Sequence, residues 1–210
     1  MTEPAPTASE PSTQAQPAPM PPRHRLFELL IGAGVLLISA VSVFVAFSAN
    51  RTQERMLAAS VWPSLVFGTS DAAQDGSAQL SIDLLNRGVG PARVRWAEVL
   101  YDGKPVSGPS ALLAACCGAR DTTSDASIVS SAIQHRVIGA DEWIQAMRVT
   151  PSSTSPAIYE ALGRSLPGVG MRLCYCSVLD ECWLLDSKRD EPEPVRDCKA
   201  APAVLWGSGA

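Results

Sequence analysis

Histidine is scarce in this chain: 210 residues hold two, His24 and His135. That excludes His-rich metal centres and leaves little for His-dependent nucleophilic catalysis. His24 sits against an apolar run, and His135 lies in a polar stretch, where a surface residue is expected rather than a base for Ser130 or Ser131. There is no Gly-x-Ser-x-Gly and no His-Glu-x-x-His, and Gly88-Val89-Gly90 is followed by Pro91 and a strand pattern rather than the helix a phosphate loop needs. Excess positive charge is missing too. With 17 Lys and Arg against 21 Asp and Glu the net charge is −4, which excludes a strongly basic nucleic-acid binder. A second run of 18 uncharged apolar residues is absent, which excludes a multi-span transporter. No cysteine precedes Cys116.

What is present is unevenly spread. Residues 1–22 carry seven prolines among Ala, Ser, Thr and Gln, with too little bulky apolar surface to offset chain entropy, so a disordered tail is expected. A polyproline strip that docks a partner is the alternative for the same residues. From Leu29 to Ala49, 21 successive residues carry no charge. At 1.5 Å per residue they form about 31 Å of helix, matching a hydrocarbon layer of about 30 Å. We read residues 23–49 as a transmembrane anchor with a basic flank, in contact with the bilayer over 26–49, and residues 50–60 as a helical stalk. A cleaved signal peptide matches less well, because its apolar region spans only about 7–15 residues and its leading segment is short and basic.

Arg23 and Arg25 on one side of the run balance Arg51 and Arg55 on the other, and only Glu54 tilts the count towards an internal N-terminus. The cysteines carry more weight. All six follow the anchor, and an even number in a small domain suits an oxidising compartment, the periplasm or its equivalent.

Residues 61–206 read as a β-rich domain. Ala78, Leu80, Ile82 and Leu84 alternate with Gln79, Ser81 and Asp83, the period of a strand with one buried face. Asn86-Arg87-Gly88-Val89-Gly90-Pro91 breaks that strand through residues that tolerate positive φ, and a second runs from Ala92 to Tyr101 with a bulge expected near Ala97-Glu98. Asp102-Gly103 predicts a tight hairpin. Residues 108–118 form a short helix ending at Gly118; residues 127–138 and 143–149 form strands; residues 156–164 form a two-turn helix behind Pro156.

Three patterns taken together, Trp62-Pro63-x-Leu65, Asn86-x-Gly88-x-Gly90-Pro91-Ala92 and Cys174-Tyr175-Cys176-Ser177 through Glu181-Cys182-Trp183, resemble a group of uncharacterised single-span, membrane-anchored extracytoplasmic proteins of Gram-negative bacteria. The resemblance covers most of residues 55–200. It implies an immunoglobulin-like β-sandwich head, one or two short helices, a mainly β fold and a bacterial inner-membrane location with the C-terminal domain periplasmic. It brings no active-site residue.

The C-terminal hairpin has one register in which Leu173 faces Leu185, Tyr175 faces Trp183 and Cys176 faces Cys182, close enough for a Cys176–Cys182 disulfide. Four cysteines remain. A mutual bond between adjacent Cys116 and Cys117 implies a strained ring, so each is expected to pair elsewhere. Cys198, after the polar stretch 190–197, is a natural staple to Cys116, Cys117 or Cys174, and three pairings satisfy the count. No Cys-x-x-Cys exists, and Cys174-x-Cys176 on a strand lacks a helix dipole to lower a thiol pKa. Val204-Leu205-Trp206 reads as a final edge strand or as a docking peptide for a partner.

No catalytic constellation emerges. The expectation is a non-enzymatic envelope interaction or accessory module, without cofactor or metal, whose partner is another envelope protein. The alternative is a periplasmic protein that uses its cysteines for thiol redox chemistry or copper handling.

Overall fold

The structure is a computed structural model that describes residues 22–119 and 128–208. Apart from Pro22, the proline-rich tail lies outside the described residues. The chain divides into two units between Gln53 and Glu54.

Helix α1 (Pro22–Ser60) contains the apolar run. Over Leu26–Ser60 it is long and apolar enough to cross a membrane, with a mean hydropathy of 2.6 in its most apolar window. Large side chains are exposed around its whole circumference, Leu29, Leu30, Ile31 and Leu36 among them, so the helix has no polar face. Its serines add no unmet polar group. Ser39 donates to the Val35 carbonyl, Ser42 to Ile38 and Ser48 to Val45, at 2.8–2.9 Å. Beyond the apolar run, the Arg51 guanidinium lies 4.5 Å from the centroid of the Phe47 ring.

The second unit holds two antiparallel sheets. The first has the order β1-β2-β7-β5, built from β1 (Leu65–Ala72), β2 (Ala78–Asn86), β7 (Trp143–Val149) and β5 (Val129–Ser130). The second has the order β10-β9-β8-β3, built from β10 (Glu193–Val195), β9 (Cys182–Asp186), β8 (Val169–Cys176) and β3 (Ala92–Tyr101). Two short strands, β4 (Lys104–Val106) and β6 (Val137–Ile138), share the remaining edge of β3. Helices α2 (Pro109–Cys117) and α3 (Pro156–Ser165) belong to the same unit. The described chain is about one-third helix and one-third strand, so "mainly β" holds for the head but not for the whole chain, where α1 alone takes 39 residues.

Alternation places the core. Leu80, Ile82 and Leu84 of β2 meet Val94, Ala97 and Val99 of β3 and Met171, Leu173 and Tyr175 of β8 in one buried cluster, joined by Leu112 and Leu113 of α2 and Leu162 of α3. The helices stop where their local chemistry dictates. Gly118 takes a left-handed conformation (φ 64°) after α2, and the Ser155 hydroxyl accepts from the Ile158 amide ahead of α3.

Asn86 ties three segments together. Fully buried, it accepts from the Ser64 and Gly88 amides and donates to the Gly90, Ile138 and Gly139 carbonyls. The glycines after it serve close approach rather than positive φ, which neither adopts. A Cβ on Gly88 would stand 2.4 Å from the Trp62 carbonyl oxygen, and one on Gly90 would stand 2.0 Å from the Val61 carbonyl oxygen. The loop thereby grips Val61–Ser64, with Arg87 donating to Ser64 O and Val89 and Gly90 to Trp62 O.

Three local expectations shift. The irregularity in β3 falls between Val94 and Trp96, not at Ala97-Glu98, because that is where pairing with β8 slips. The stretch 127–138 is not one strand, since β5 pairs with β7 in the first sheet and β6 with β3 in the second, so the chain crosses between sheets there. The polar stretch after Asp190 is held by more than a staple, since β10 adds an edge strand to β9.

Candidate functional site

The sulfur cluster is built on β8. Residues i and i+2 of a strand share a face, so Cys174 and Cys176 point together, away from the core-facing Leu173 and Tyr175. The hairpin register pairs Leu173 with Leu185, Tyr175 with Trp183 and Cys176 with Cys182. Asp180, at φ 61°, makes the turn, and the Ser177 amide closes it on the Glu181 carbonyl at 2.7 Å. Cys176 and Cys182 are disulfide-bonded with a Cα separation of 4.0 Å, and Cys174 is bonded to Cys198 across 5.6 Å. The indole of Trp96, opposite Cys174 on β3, donates to the Cys198 carbonyl at 3.1 Å and fixes the returning chain over the sheet.

The two disulfides touch. Cys176 Sγ lies 3.7 Å from Cys198 Sγ, a van der Waals contact between sulfurs that carry no proton. Sγ of Cys176, Cys182 and Cys198 all lie within 4.8 Å of one another. Thiolates in that arrangement have the spacing of soft-metal ligands, but each sulfur here is engaged in a disulfide, and the thiolate is the metal-binding form.

A cleft of about 520 Å³ opens over these sulfurs, rimmed by Arg95, His135, Asp180, Arg196, Asp197 and Lys199. Three permanent cations therefore face two carboxylates. Asp180 pairs with Arg93 and, at 3.8 Å, with Arg95. The Lys199 backbone amide, aided by the charges of Lys199 and Arg196, holds the Asp197 carboxyl below its usual range.

Cys116 and Cys117 correct the expectation that each pairs elsewhere. They are bonded to each other, at the last two positions of α2. The other four cysteines are already paired with one another, Cys174, Cys176 and Cys182 on the second sheet and Cys198 on the segment after β10, and the left-handed turn at Gly118 takes the chain out of the helix directly after Cys117.

Val204-Leu205-Trp206 forms neither an edge strand nor a free docking peptide. Trp206 is 2% exposed and belongs to the core, with its amide donating to the Ala97 carbonyl at 2.9 Å, while Val204 and Leu205 are half-buried beside it. A polar approach segment signalled exposure, but a single indole supplies enough apolar surface to plug the core and carry its neighbours with it.

A second cleft, of about 540 Å³, had no clear signal in the sequence. It lies between the outer strand of the first sheet and the β9–β10 side of the second, lined by Trp62, Phe67 and Trp183 with Asp186, Asp190 and Glu191 among its polar groups. Trp62 is 49% exposed, and Trp183 stacks on Tyr175 with centroids 5.7 Å apart. The opening exists only because strands distant in sequence face each other. Arg189 is the cation among its lining residues, and it is paired with Glu193.

Comparison with protein-family models, curated proteins and solved structures finds no match for this chain.

Proposed function

We propose that this chain is a single-pass protein of the Gram-negative inner membrane, N-terminus cytoplasmic, with a periplasmic immunoglobulin-like head that acts as a non-enzymatic interaction module for another envelope protein. The helix over Leu26–Ser60 supports the anchor. Six cysteines beyond the apolar run, all in disulfides, support an oxidising location for the head. The strand orders β1-β2-β7-β5 and β9-β8-β3-β4 correspond to the A-B-E-D and G-F-C-C′ sheets of an immunoglobulin-like sandwich, which supports that reading of the fold.

The observation that carries the interaction role is the aromatic cleft. Exposed or half-exposed Trp62, Phe67 and Trp183 beside Asp186, Asp190 and Glu191 suit a partner segment that presents an apolar side chain next to a basic one. A photoreactive residue at position 62, in the full chain in native membranes, is expected to yield one discrete crosslinked species. The same probe combined with Glu191→Lys should lose it, whereas Lys104→Glu, outside the cleft lining, should not. A crosslinking pattern indifferent to Glu191→Lys would sink the proposal. A reporter active only outside the cytoplasm, fused after Ala210, should give signal; signal from a cytoplasm-dependent reporter alone would reverse the orientation.

A further inference from the structure

We propose that the paired disulfides form a thiol–disulfide exchange site that takes a small anionic thiol and shuttles the Cys198 linkage between Cys174 and Cys176. This goes beyond the interaction role and does not depend on the aromatic cleft being occupied. Three observations carry it. Cys176 Sγ touches Cys198 Sγ at 3.7 Å, although the two belong to different disulfides. Cys174 and Cys176 share one face of β8, so Cys198 can reach either without crossing the sheet. The cleft over the sulfurs carries Arg95, Arg196 and Lys199 against Asp180 and Asp197, a surplus of positive charge that stabilises a released thiolate and attracts an anionic one. A strand cysteine lacks a helix dipole; here side-chain cations take that place.

The chemistry balances with a thiol as the only co-reactant. An incoming thiolate attacks Sγ of Cys182, which at 8% exposed against 2% for Cys176 is the less deeply buried residue of its pair; the Cys176–Cys182 bond breaks and Cys176 leaves as thiolate. Cys176 then attacks Cys198 Sγ, forming Cys176–Cys198 and expelling Cys174 as thiolate. A second thiol molecule attacks the mixed disulfide on Cys182 and departs as the small-molecule disulfide. Two electrons have entered the protein, one disulfide of the pair remains beside the untouched Cys116–Cys117, and Cys174 and Cys182 are thiols. The C-terminal segment stays tethered throughout, through a different sulfur.

The full chain in detergent, treated with limiting glutathione, quenched with acid, alkylated and mapped, tests this. Cleavage after Tyr175 and Glu181 places Cys174, Cys176 and Cys182 on separate peptides. The expected main new species joins Cys176 to Cys198, with Cys174 alkylated and Cys182 alkylated or glutathionylated. Maps showing only native pairs and pairwise-reduced native pairs would overturn the exchange. Cys182→Ser gives a second arm without added thiol: Cys198 should divide between Cys174 and Cys176, and exclusive Cys174–Cys198 with a free Cys176 would overturn it. Glutathione should react faster than the cationic thiol cysteamine at low salt; equal rates would overturn the assignment of an anionic substrate.

Discussion

The side-chain amide of Gln134 pairs with the backbone of Ala97 as a strand would. The Ala97 amide donates to Gln134 Oε1 at 3.2 Å, and Gln134 Nε2 donates to the Ala97 carbonyl at 2.8 Å. Along that edge of β3, β6 pairs with Ala92 and Arg93 and β4 pairs with Val99 to Tyr101, leaving a gap that Gln134 fills. The same Nε2 donates to the Trp206 carbonyl at 3.1 Å, so one side chain joins the sheet edge to the C-terminal plug.

Gln134→Met keeps the side-chain length and deletes those bonds. The Ala97 carbonyl keeps the Trp206 amide as donor, but the Ala97 amide is left unpaired; a buried group without its partner costs about 1–3 kcal/mol, and denaturant unfolding of the full chain should show a loss in that range. Gln134→Glu should also destabilise, because a carboxylate cannot donate to the Ala97 and Trp206 carbonyls.

Trp206→Ala empties a core position. Truncating a buried Trp costs about 3–5 kcal/mol, so the melting temperature of the head should fall by well over the few degrees seen for surface changes, and deletion of residues 203–210 should do the same. Unchanged melting in both would contradict the buried position.

Gly90→Ala drives a methyl group into the Val61 backbone. Overpacking of this kind costs about 1–3 kcal/mol, and the damage should appear first where the loop grips the chain, as faster protease cleavage at Arg55 and Arg87. Gly68→Ala, with open space around its Cβ, should leave cleavage unchanged.

Burial pushes the Asp83 carboxyl above the usual range, against the Ser81 hydroxyl that donates to its Oδ2 at 2.7 Å. A raised pKa means that the folded state holds the proton more tightly than the unfolded chain. Ionised Asp83 therefore costs stability above its folded pKa, and the penalty fades as pH falls through that value towards 3.8. Asp83→Asn, which keeps an acceptor for Ser81, should raise the unfolding midpoint at pH 7 and narrow its difference from the wild-type chain as pH falls below the folded pKa. A lower midpoint at pH 7 would reverse the sign.

Local sequence signals carried the apolar helix, the strand over Ala78–Leu84, the two short head helices and the β8–β9 register with Cys176 opposite Cys182. Each follows from a contiguous stretch of neighbouring residues, where hydrophobic pattern, caps and turn chemistry act without help from the rest of the chain. Tertiary structure decided the rest. Cys198 bonds to Cys174 because Trp96, 102 residues earlier, holds its carbonyl; Trp206 is buried because Ala97 and Gln134 receive its backbone; and the aromatic cleft exists because β1 and β9 belong to facing sheets. Those contacts join residues far apart in the chain, and their partners are chosen by which surfaces meet in the packed core, a choice that local pattern does not encode.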